Sequence, residues 1–153
     1  MYMLGNNSRA ELEGVHPDLV AVVKRAIEIV PVDFTVLDGL RTPEEQAEYV
    51  QRGVSKTMAS KHLRQEDGFG HAVDLVPFIN GKVRWEMQAC IQIAREMATA
   101  AAELKVRIVW GGGWAELGTH DAAEIVTRYI EHKRKWGEPV FIDGPHYELA
   151  TIY

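Results

Sequence analysis

The chain has 153 residues, and its 46% hydrophobic and 25% charged residues are typical of one globular domain that buries an apolar core. The formal net charge of −5 argues against the concentrated basic surface that phosphate binding requires, so we expect no nucleic-acid partner. Cys90 is the only cysteine, which excludes an intramolecular disulfide.

The first third of the chain predicts a helix, a strand and a second helix. Apolar residues recur at helical spacing within residues 17–31, a segment that begins and ends with proline. Residues 34–37 are rich in β-formers and predict a strand. Thr42 then supplies an N-cap with a capping-box partner, Glu45, so the second helix should run to about Arg52.

A long irregular loop and a short apolar strand follow. Residues 54–70 show no periodicity and contain His62, and loops of this length are usually functional or mobile. Residues 71–76 predict a strand that Pro77 should end. Asp74 is then a charged residue in the middle of an apolar strand.

The second half of the chain mixes strands and helices without regular βαβ alternation. The predicted segments are 82–85 (strand, after an Asn-Gly turn), 86–104 (helix), 106–110 (strand, broken by three glycines), 122–135 (helix), and 140–142 and 146–149 (extended). This order predicts an α+β fold with a small antiparallel sheet flanked by helices.

Two histidines and two aspartates suggest a hydrolytic metal site. His62, Asp74 and His146 supply two imidazoles and a carboxylate, and Asp143 adds a base close to the last of them. Zinc in hydrolases is typically held by three groups of these kinds, which leaves a fourth position for water. Side chains alternate across a strand, so His71 and Asp74 should not share one metal, and His62 is the better first ligand.

Four motifs, in this order and with this spacing, resemble a known family of zinc peptidases. They are Asp38-Gly39-Leu40-Arg41-Thr42, Ser60-Lys61-His62-Leu63 continued by Gly70-His71-Ala72-Val73-Asp74-Leu75, Trp110-Gly111-Gly112-Gly113-Trp114, and Asp143-Gly144-Pro145-His146-Tyr147-Glu148-Leu149. Over most of its length the chain is similar to VanY-like D-alanyl-D-alanine carboxypeptidases and L-alanyl-D-glutamate endopeptidases. Within that family it most resembles single-domain phage endolysins.

The resemblance implies a hedgehog/DD-peptidase-like fold and one catalytic domain over residues 1–153, with no separate cell-wall-binding domain. It also implies Zn²⁺ as the cofactor, with His62, Asp74 and His146 as ligands and Asp143 as the catalytic base. A base beside the metal is needed, because a carboxylate ligand lowers the charge that would otherwise acidify the water.

Further residues are predicted to contact the substrate or to support the site. Arg41 can stabilise the oxyanion or grip a substrate carboxylate, and the sequence does not separate these roles. Ser60 and Trp114 are predicted to bind substrate, the latter because it follows three glycines that can open a groove. Glu148 shares a strand face with His146 and can orient it from behind or face water.

Two features depart from the family pattern. Residues 64–69 lengthen the link between the first histidine and the aspartate, so that Glu66 and Asp67 can alter substrate access, or His62 can be displaced and the metal site left incomplete. Gly113 stands where relatives often carry aspartate, so any support from that carboxylate is absent or comes from another residue.

These observations predict a phage endolysin that cuts the bond between L-alanine and D-glutamate in peptidoglycan stem peptides. The alternatives are a D-Ala-D-Ala carboxypeptidase with the same metal chemistry, and a non-catalytic module that binds zinc or peptidoglycan. Residues 1–13 lack a signal peptide, and the sequence has no apolar stretch long enough to span a membrane. We therefore expect no stable membrane association and a location in the host cytoplasm until release to the periplasm and cell wall. We also expect a monomer.

Overall fold

The computed structural model of the chain describes residues 1–53, 55 and 57–151. Its elements in chain order are α1 (Asn6–Glu11), α2 (Pro17–Ile29), β1 (Phe34–Asp38), α3 (Pro43–Gln51), β2 (Ala72–Ile79), β3 (Lys82–Val83), α4 (Met87–Leu104), β4 (Ile108–Trp110), β5 (Ala115–Glu116), α5 (Ala122–Lys135) and β6 (His146–Leu149).

The strands form one antiparallel sheet in the order β1-β2-β6-β4-β5, and β3 pairs with β2 outside this path. The last strand of the chain, β6, therefore lies inside the sheet between β2 and β4. This arrangement confirms the predicted α+β fold with a small antiparallel sheet and flanking helices.

The apolar core is built around the contact between α2 and α4, and α4 also contacts β2 and β4. The side chains of α2 that face inward are at most 4% exposed and follow the helical spacing seen in the sequence: Leu19, Val22, Val23, Ala26 and Ile27. Burying one such aliphatic side chain stabilises a fold by roughly 1.5–3 kcal/mol. None of the described helices combines the length and apolar character needed to cross a membrane.

Local capping signals set the helix ends, and the predicted capping box of α3 is present. The hydroxyl of Thr42 accepts from the N–H of Glu45 at 3.1 Å, and the Glu45 carboxylate accepts from the N–H of Thr42 at 3.2 Å, which completes the capping box of α3. The Asp121 carboxylate caps α5 by accepting from the N–H of Ala123. Beyond the end of α5, Gly137 adopts a φ of 63°, a conformation that favours glycine.

Strand β2 continues past Pro77, whereas the sequence predicts that this proline ends the strand. Proline lacks an N–H, so it normally costs a hydrogen bond inside a sheet. Here the adjacent N–H of Phe78 donates to the carbonyl of Asp33, and the carbonyl of Pro77 accepts from the N–H of Arg84. The prediction was wrong because the N–H of Phe78 and the carbonyl of Pro77 keep the strand hydrogen-bonded to the backbone on both of its sides.

Other differences concern short segments. Residues 140–142 form no strand, because the Tyr129 hydroxyl donates to the carbonyl of Phe141 and accepts from its N–H, which satisfies that backbone without a partner strand. Strand β4 is shorter than the predicted 106–110 segment. Helix α1 and strand β5 were not predicted, since neither is long enough to show clear periodicity.

A β-bulge in β1 sets the alignment of charged residues across the sheet. The register shifts between Val36 and Asp38, so the extra residue is Leu37, and Asp38 pairs with Asp74 of β2. On its other side, Asp74 pairs with His146 of β6. Two carboxylates opposite each other repel, so this register requires positive charge nearby.

Gly113 allows α5 to pack closely on the glycine segment after β4. A Cβ atom added at Gly113 would lie 2.4 Å from Cγ2 of Ile125 and 2.7 Å from its carbonyl oxygen. An aspartate therefore does not fit at this position unless α5 moves. Glycine at this position is thus what the packing of α5 in this chain requires.

We predict that Gly113→Ala lowers the free energy of unfolding by about 1–3 kcal/mol, the usual cost of overpacking. Gly113→Asp should cost more, because its carboxylate would also be buried. Gly5→Ala is the control, since a Cβ at Gly5 has no atom within 4 Å. Urea denaturation of the three variants measures these changes, and equal losses at Gly113 and Gly5 would contradict the packing argument.

Candidate metal centre

Three groups of the metal-ligand type converge where β2 and β6 pair. His62, Asp74 and His146 each offer a ligand atom, and these atoms lie within 4.8 Å of one another. The Oδ1 atom of Asp74 is 3.2 Å from Nε2 of His62 and 3.3 Å from Nδ1 of His146. The structure thus brings together the three residues that were predicted as ligands.

The loop that carries His62 is fixed by its backbone. The carbonyl of His62 accepts from the N–H of Arg41 at 2.8 Å, and its own N–H donates to the Ser60 hydroxyl at 3.1 Å. The imidazole is buried, and its Nδ1 lies 2.8 Å from the carbonyl of Gly39. The loop after β1 therefore sets both the position and the ring orientation of His62.

The longer link after His62 does not displace it. Residues 64–69 close on themselves, since the N–H of Gln65 donates to the carbonyl of Phe69 at 2.8 Å. Glu66 and Asp67 line a second cavity and are absent from the described walls of the cleft that contains the three ligand-type groups. The structure therefore gives no support to the alternatives in which this segment blocks the site or disrupts it.

The outer nitrogen of each histidine is engaged away from the centre. A carbonyl can only accept, so Nδ1–H of His62 donates to Gly39. Nε2 of His146 is 2.8 Å from Oε1 of Glu148, so this nitrogen carries the donated proton. In the neutral imidazoles the remaining nitrogens then present lone pairs to the Asp74 carboxylate. The lone pairs of these two nitrogens and of the carboxylate point toward one another, and they repel unless a cation lies between them. The three groups therefore fit a metal ion.

Charge interactions among the protein groups are strong at this centre. Burial favours a higher pKa for the Asp74 carboxyl, but attraction to His62 and hydrogen bonds with both histidines bring that pKa well below its usual range. Burial favours a lower pKa for His146, yet its bonds to Asp74 and Glu148 outweigh burial and raise the pKa to about 10. A metal ion that binds here must displace the proton on Nδ1 of His146, while the proton on Nε2 stays with Glu148.

Arg41 is held on the opposite side of Asp74 from the histidines. Its Nε donates to Oδ2 of Asp38 at 2.9 Å, a terminal nitrogen also bonds Asp38, and Nη1 donates to Oε1 of Gln46 at 2.6 Å. Nη2 lies 3.8 Å from Oδ2 of Asp74, and the guanidinium stacks over the ring of Tyr49 at 4.3 Å. Three of the five guanidinium N–H groups are thus engaged by Asp38 and Gln46.

Asp38 and Gln46 support Arg41, a role that the sequence motifs did not indicate. Gln46 is fully buried in α3, although glutamine is usually an exposed residue. Its amide nitrogen donates to the Ser55 hydroxyl at 2.9 Å and to the carbonyl of Thr57, which connects Arg41 to the cleft wall. The spacing of Asp38 and Arg41 around a turn was the available signal for the first of these residues.

The Trp-Gly-Gly-Gly-Trp motif supports the segment that carries Asp143. The indole N–H of Trp110 donates to the carbonyl of Gly144 at 2.7 Å, and that of Trp114 donates to the carbonyl of Phe141 at 2.8 Å. A Cβ on Gly111 would lie 2.4 Å from the carbonyl oxygen of Asp143, so only glycine permits this close approach.

Asp143 is half-buried and electrostatically coupled to the centre. Burial raises the pKa of its carboxyl, and repulsion from Asp74 raises it further, while both imidazoles and Arg41 oppose the rise. A carboxylate with a raised pKa is a stronger proton acceptor than an ordinary surface aspartate.

The predicted site residues share one cleft of about 560 Å³, which we call the main cleft. Its described lining includes Ser60, Trp114 and Glu148 as well as the groups above. Trp114 adopts a φ of 51°, stacks on Phe141 and lies with its ring 5.4 Å from that of His146. Its ring thus forms a partly exposed apolar wall beside the metal-type groups.

Comparison with known proteins gives concordant matches over nearly the whole chain. A family model described as phage L-alanyl-D-glutamate peptidase matches residues 1–150. The chain is 32% identical over 154 residues to the L-alanyl-D-glutamate peptidase of Escherichia phage T5, covering 97% of this chain and 98% of that protein. It is also similar to the crystal structure of the Serratia marcescens L-Ala D-Glu endopeptidase ChiX, with a TM-score of 0.69, 35% identity, and coverage of 95% of this chain and 87% of the other.

We predict that His62→Ala, Asp74→Ala and His146→Ala each weaken Zn²⁺ binding by more than about 100-fold, because each removes one of three converging donors. His71→Ala is the matched control, since the His71 imidazole bonds Asp67 at 2.6 Å instead of the centre. Isothermal titration with Zn²⁺ and metal content after dialysis measure the effect. Unchanged Zn²⁺ affinity in the Asp74 variant would rule out this centre.

Proposed function

The chain belongs to the phage L-alanyl-D-glutamate peptidase family, and we propose that it is a zinc-dependent endopeptidase that cleaves the bond between L-alanine and D-glutamate in peptidoglycan stem peptides. The observation that carries this proposal is the convergence of His62, Asp74 and His146 in a cleft that also contains Asp143. The proposed substrate comes from the activity for which the relatives are named. The proposed metal-assisted hydrolysis comes from the three ligand-type groups.

The donor set supports zinc as the cofactor. Two imidazoles and one carboxylate are a ligand combination of catalytic zinc sites, and His62 and His146 each have the outer N–H engaged, as zinc ligands usually do. When bound, Zn²⁺ supplies a Lewis acid that lowers the pKa of water and polarises the peptide carbonyl. Glu148 and the carbonyl of Gly39 would keep the two rings oriented for this ion.

Asp143 is proposed as the general base and acid. Its carboxylate oxygen accepts a proton from the attacking water and returns that proton to the nitrogen of the departing amine. Partial burial supports this role, because it raises the pKa of the Asp143 carboxyl and thereby its basicity. The bonds of Trp110 and Trp114 to the flanking carbonyls would hold the carboxylate in place.

Arg41 is proposed to add positive charge where the oxyanion develops. Asp38 and Gln46 engage three of its N–H groups, which leaves one on each terminal nitrogen for Asp74 and the substrate. Such preorganised donors stabilise developing charge without reorganisation during the reaction. Ser60 and Trp114 are proposed to contact the peptide, since both line the main cleft.

We also propose that the protein acts as a phage endolysin, as a monomeric catalytic domain that reaches the cell wall after accumulating in the host cytoplasm. The family match over residues 1–150 and the phage origin of a relative support this role.

Digestion of purified peptidoglycan tests the reaction directly. We expect new amino termini at D-glutamate, identified by mass spectrometry, and no release of terminal D-alanine. Activity should disappear on chelation and return with Zn²⁺ but not with Mg²⁺, because imidazole ligands favour zinc. Release of D-alanine without new amino termini would favour the carboxypeptidase alternative.

We expect Asp143→Ala to retain stoichiometric zinc while losing about 10²- to 10⁴-fold in kcat, the usual contribution of general acid-base catalysis. Glu131→Gln, an exposed change on α5, is the control for the loss of a carboxylate elsewhere. Zinc content and the rate of peptidoglycan cleavage are measured on the same preparations. Wild-type turnover by the Asp143 variant would show that another group moves the proton.

A further inference from the structure

The main cleft contains two permanent cations among its described residues, and they differ in their surroundings. The guanidinium of Arg41 is already bonded to the carboxylate of Asp38. Lys61 also lines the cleft, but its ammonium forms no ion pair with any carboxylate in the described part of the chain. Lys61 also lines the second cavity, beside Glu66 and Asp67, but neither carboxylate pairs with it. Of the two described cations of the main cleft, Lys61 is therefore the one without a carboxylate partner among the described residues.

The backbone fixes the position from which the Lys61 side chain extends. Its carbonyl accepts from the N–H of His71 at 2.8 Å, and the next residue is the buried ligand-type His62. Consecutive Cα atoms are about 3.8 Å apart, so the flexible four-carbon stem of Lys61 starts beside the metal-type centre. The ammonium can reach a ligand bound next to that centre.

The charge of the cleft shows what this ammonium can recognise. Among the described residues, three carboxylates line the cleft: those of Asp74, Asp143 and Glu148. They would repel an anionic ligand group unless a cation faced it. An ammonium on the wall of such a cleft, without a carboxylate partner in the described part of the chain, thus favours a substrate that carries its own carboxylate.

The proposed substrate carries such a group. A glutamate residue within a peptide uses one carboxyl for the next peptide bond and leaves the other free. In an alanine–glutamate bond, this free carboxylate belongs to the residue that supplies the departing nitrogen. It therefore lies within a few bonds of the reacting atoms.

We infer that Lys61 binds the free carboxylate of the glutamate that follows the scissile bond, and so determines specificity for an acidic residue at that position. This inference rests on the proposed function. The Ser60 hydroxyl accepts from the N–H of His62 and keeps its own proton, so it can donate to the same carboxylate. Arg41 then serves Asp74 and the oxyanion instead of the substrate carboxylate.

The test compares two synthetic peptides that contain the L-Ala–D-Glu bond, one with the glutamate carboxylate free and the other with it converted to the primary amide. Zinc-loaded wild type, Lys61→Met and Lys61→Arg are assayed for kcat and KM on both. Lys24→Met is the matched control, because Lys24 is exposed on α2 and lies outside the described cleft lining. Equilibrium binding of both peptides is measured in an Asp143→Asn background that suppresses cleavage.

We expect wild type to prefer the free carboxylate by about 10- to 100-fold, the usual range for a hydrogen bond to a charged group. Lys61→Met should lose this preference through a higher KM and Kd for the carboxylate peptide only, while Lys61→Arg retains most of it and Lys24→Met all of it. Zinc content should stay stoichiometric. The preference should fall at high salt, because a partly exposed ion pair is screened.

An equal loss on both peptides would assign Lys61 a structural role and overturn the inference, as would a wild-type enzyme that does not distinguish them. Failure of the wild type to cleave either peptide or intact peptidoglycan would contradict the proposed function instead. The binding measurement would still decide whether Lys61 recognises the carboxylate.

Discussion

The carboxylate of Asp74 is the group on which the arrangement of the site depends. Its Oδ1 faces His62 and His146, and its Oδ2 faces Arg41. A carboxylate in so enclosed a position costs free energy unless positive charge or a shared cation surrounds it. The β-bulge adds a further constraint, since it pairs Asp38 with Asp74 and makes Arg41 necessary between the two anions.

The four sequence motifs form one structure around this carboxylate. The Gly39 carbonyl orients His62, and the glycine segment after β4 lets the turn carrying Asp143 approach closely. The two tryptophans flanking those glycines bond carbonyls on either side of Asp143. Some motif residues are thus proposed to hold in place the groups that bind the metal or contact the substrate, without contacting either themselves. Many of the hydrogen bonds that hold these groups are accepted by backbone carbonyls.

The two cations of the cleft have separate electrostatic environments. Arg41 is buried and bonded to Asp38 and Gln46, so its positive charge mainly offsets the negative charge of the protein's own carboxylates. Lys61 stands on a loop whose backbone is fixed, whereas its ammonium has no ion pair with the carboxylates that the structure describes. This division matches the difference between the two side chains, since a planar guanidinium suits fixed multiple bonds and a flexible ammonium suits a ligand that comes and goes.

The sequence by itself determined the main helices, most strands, the α+β class and the ligand-type residues, because periodicity, capping residues and short motifs are local signals. Strand parity correctly separated His71 from the centre. Tertiary structure alone decided that β2 passes through Pro77, that a bulge pairs Asp38 with Asp74, and that Gln46 is buried beneath Arg41. These features depend on contacts between residues far apart in the chain, and no local pattern of residues encodes which distant group will satisfy a given hydrogen bond or charge.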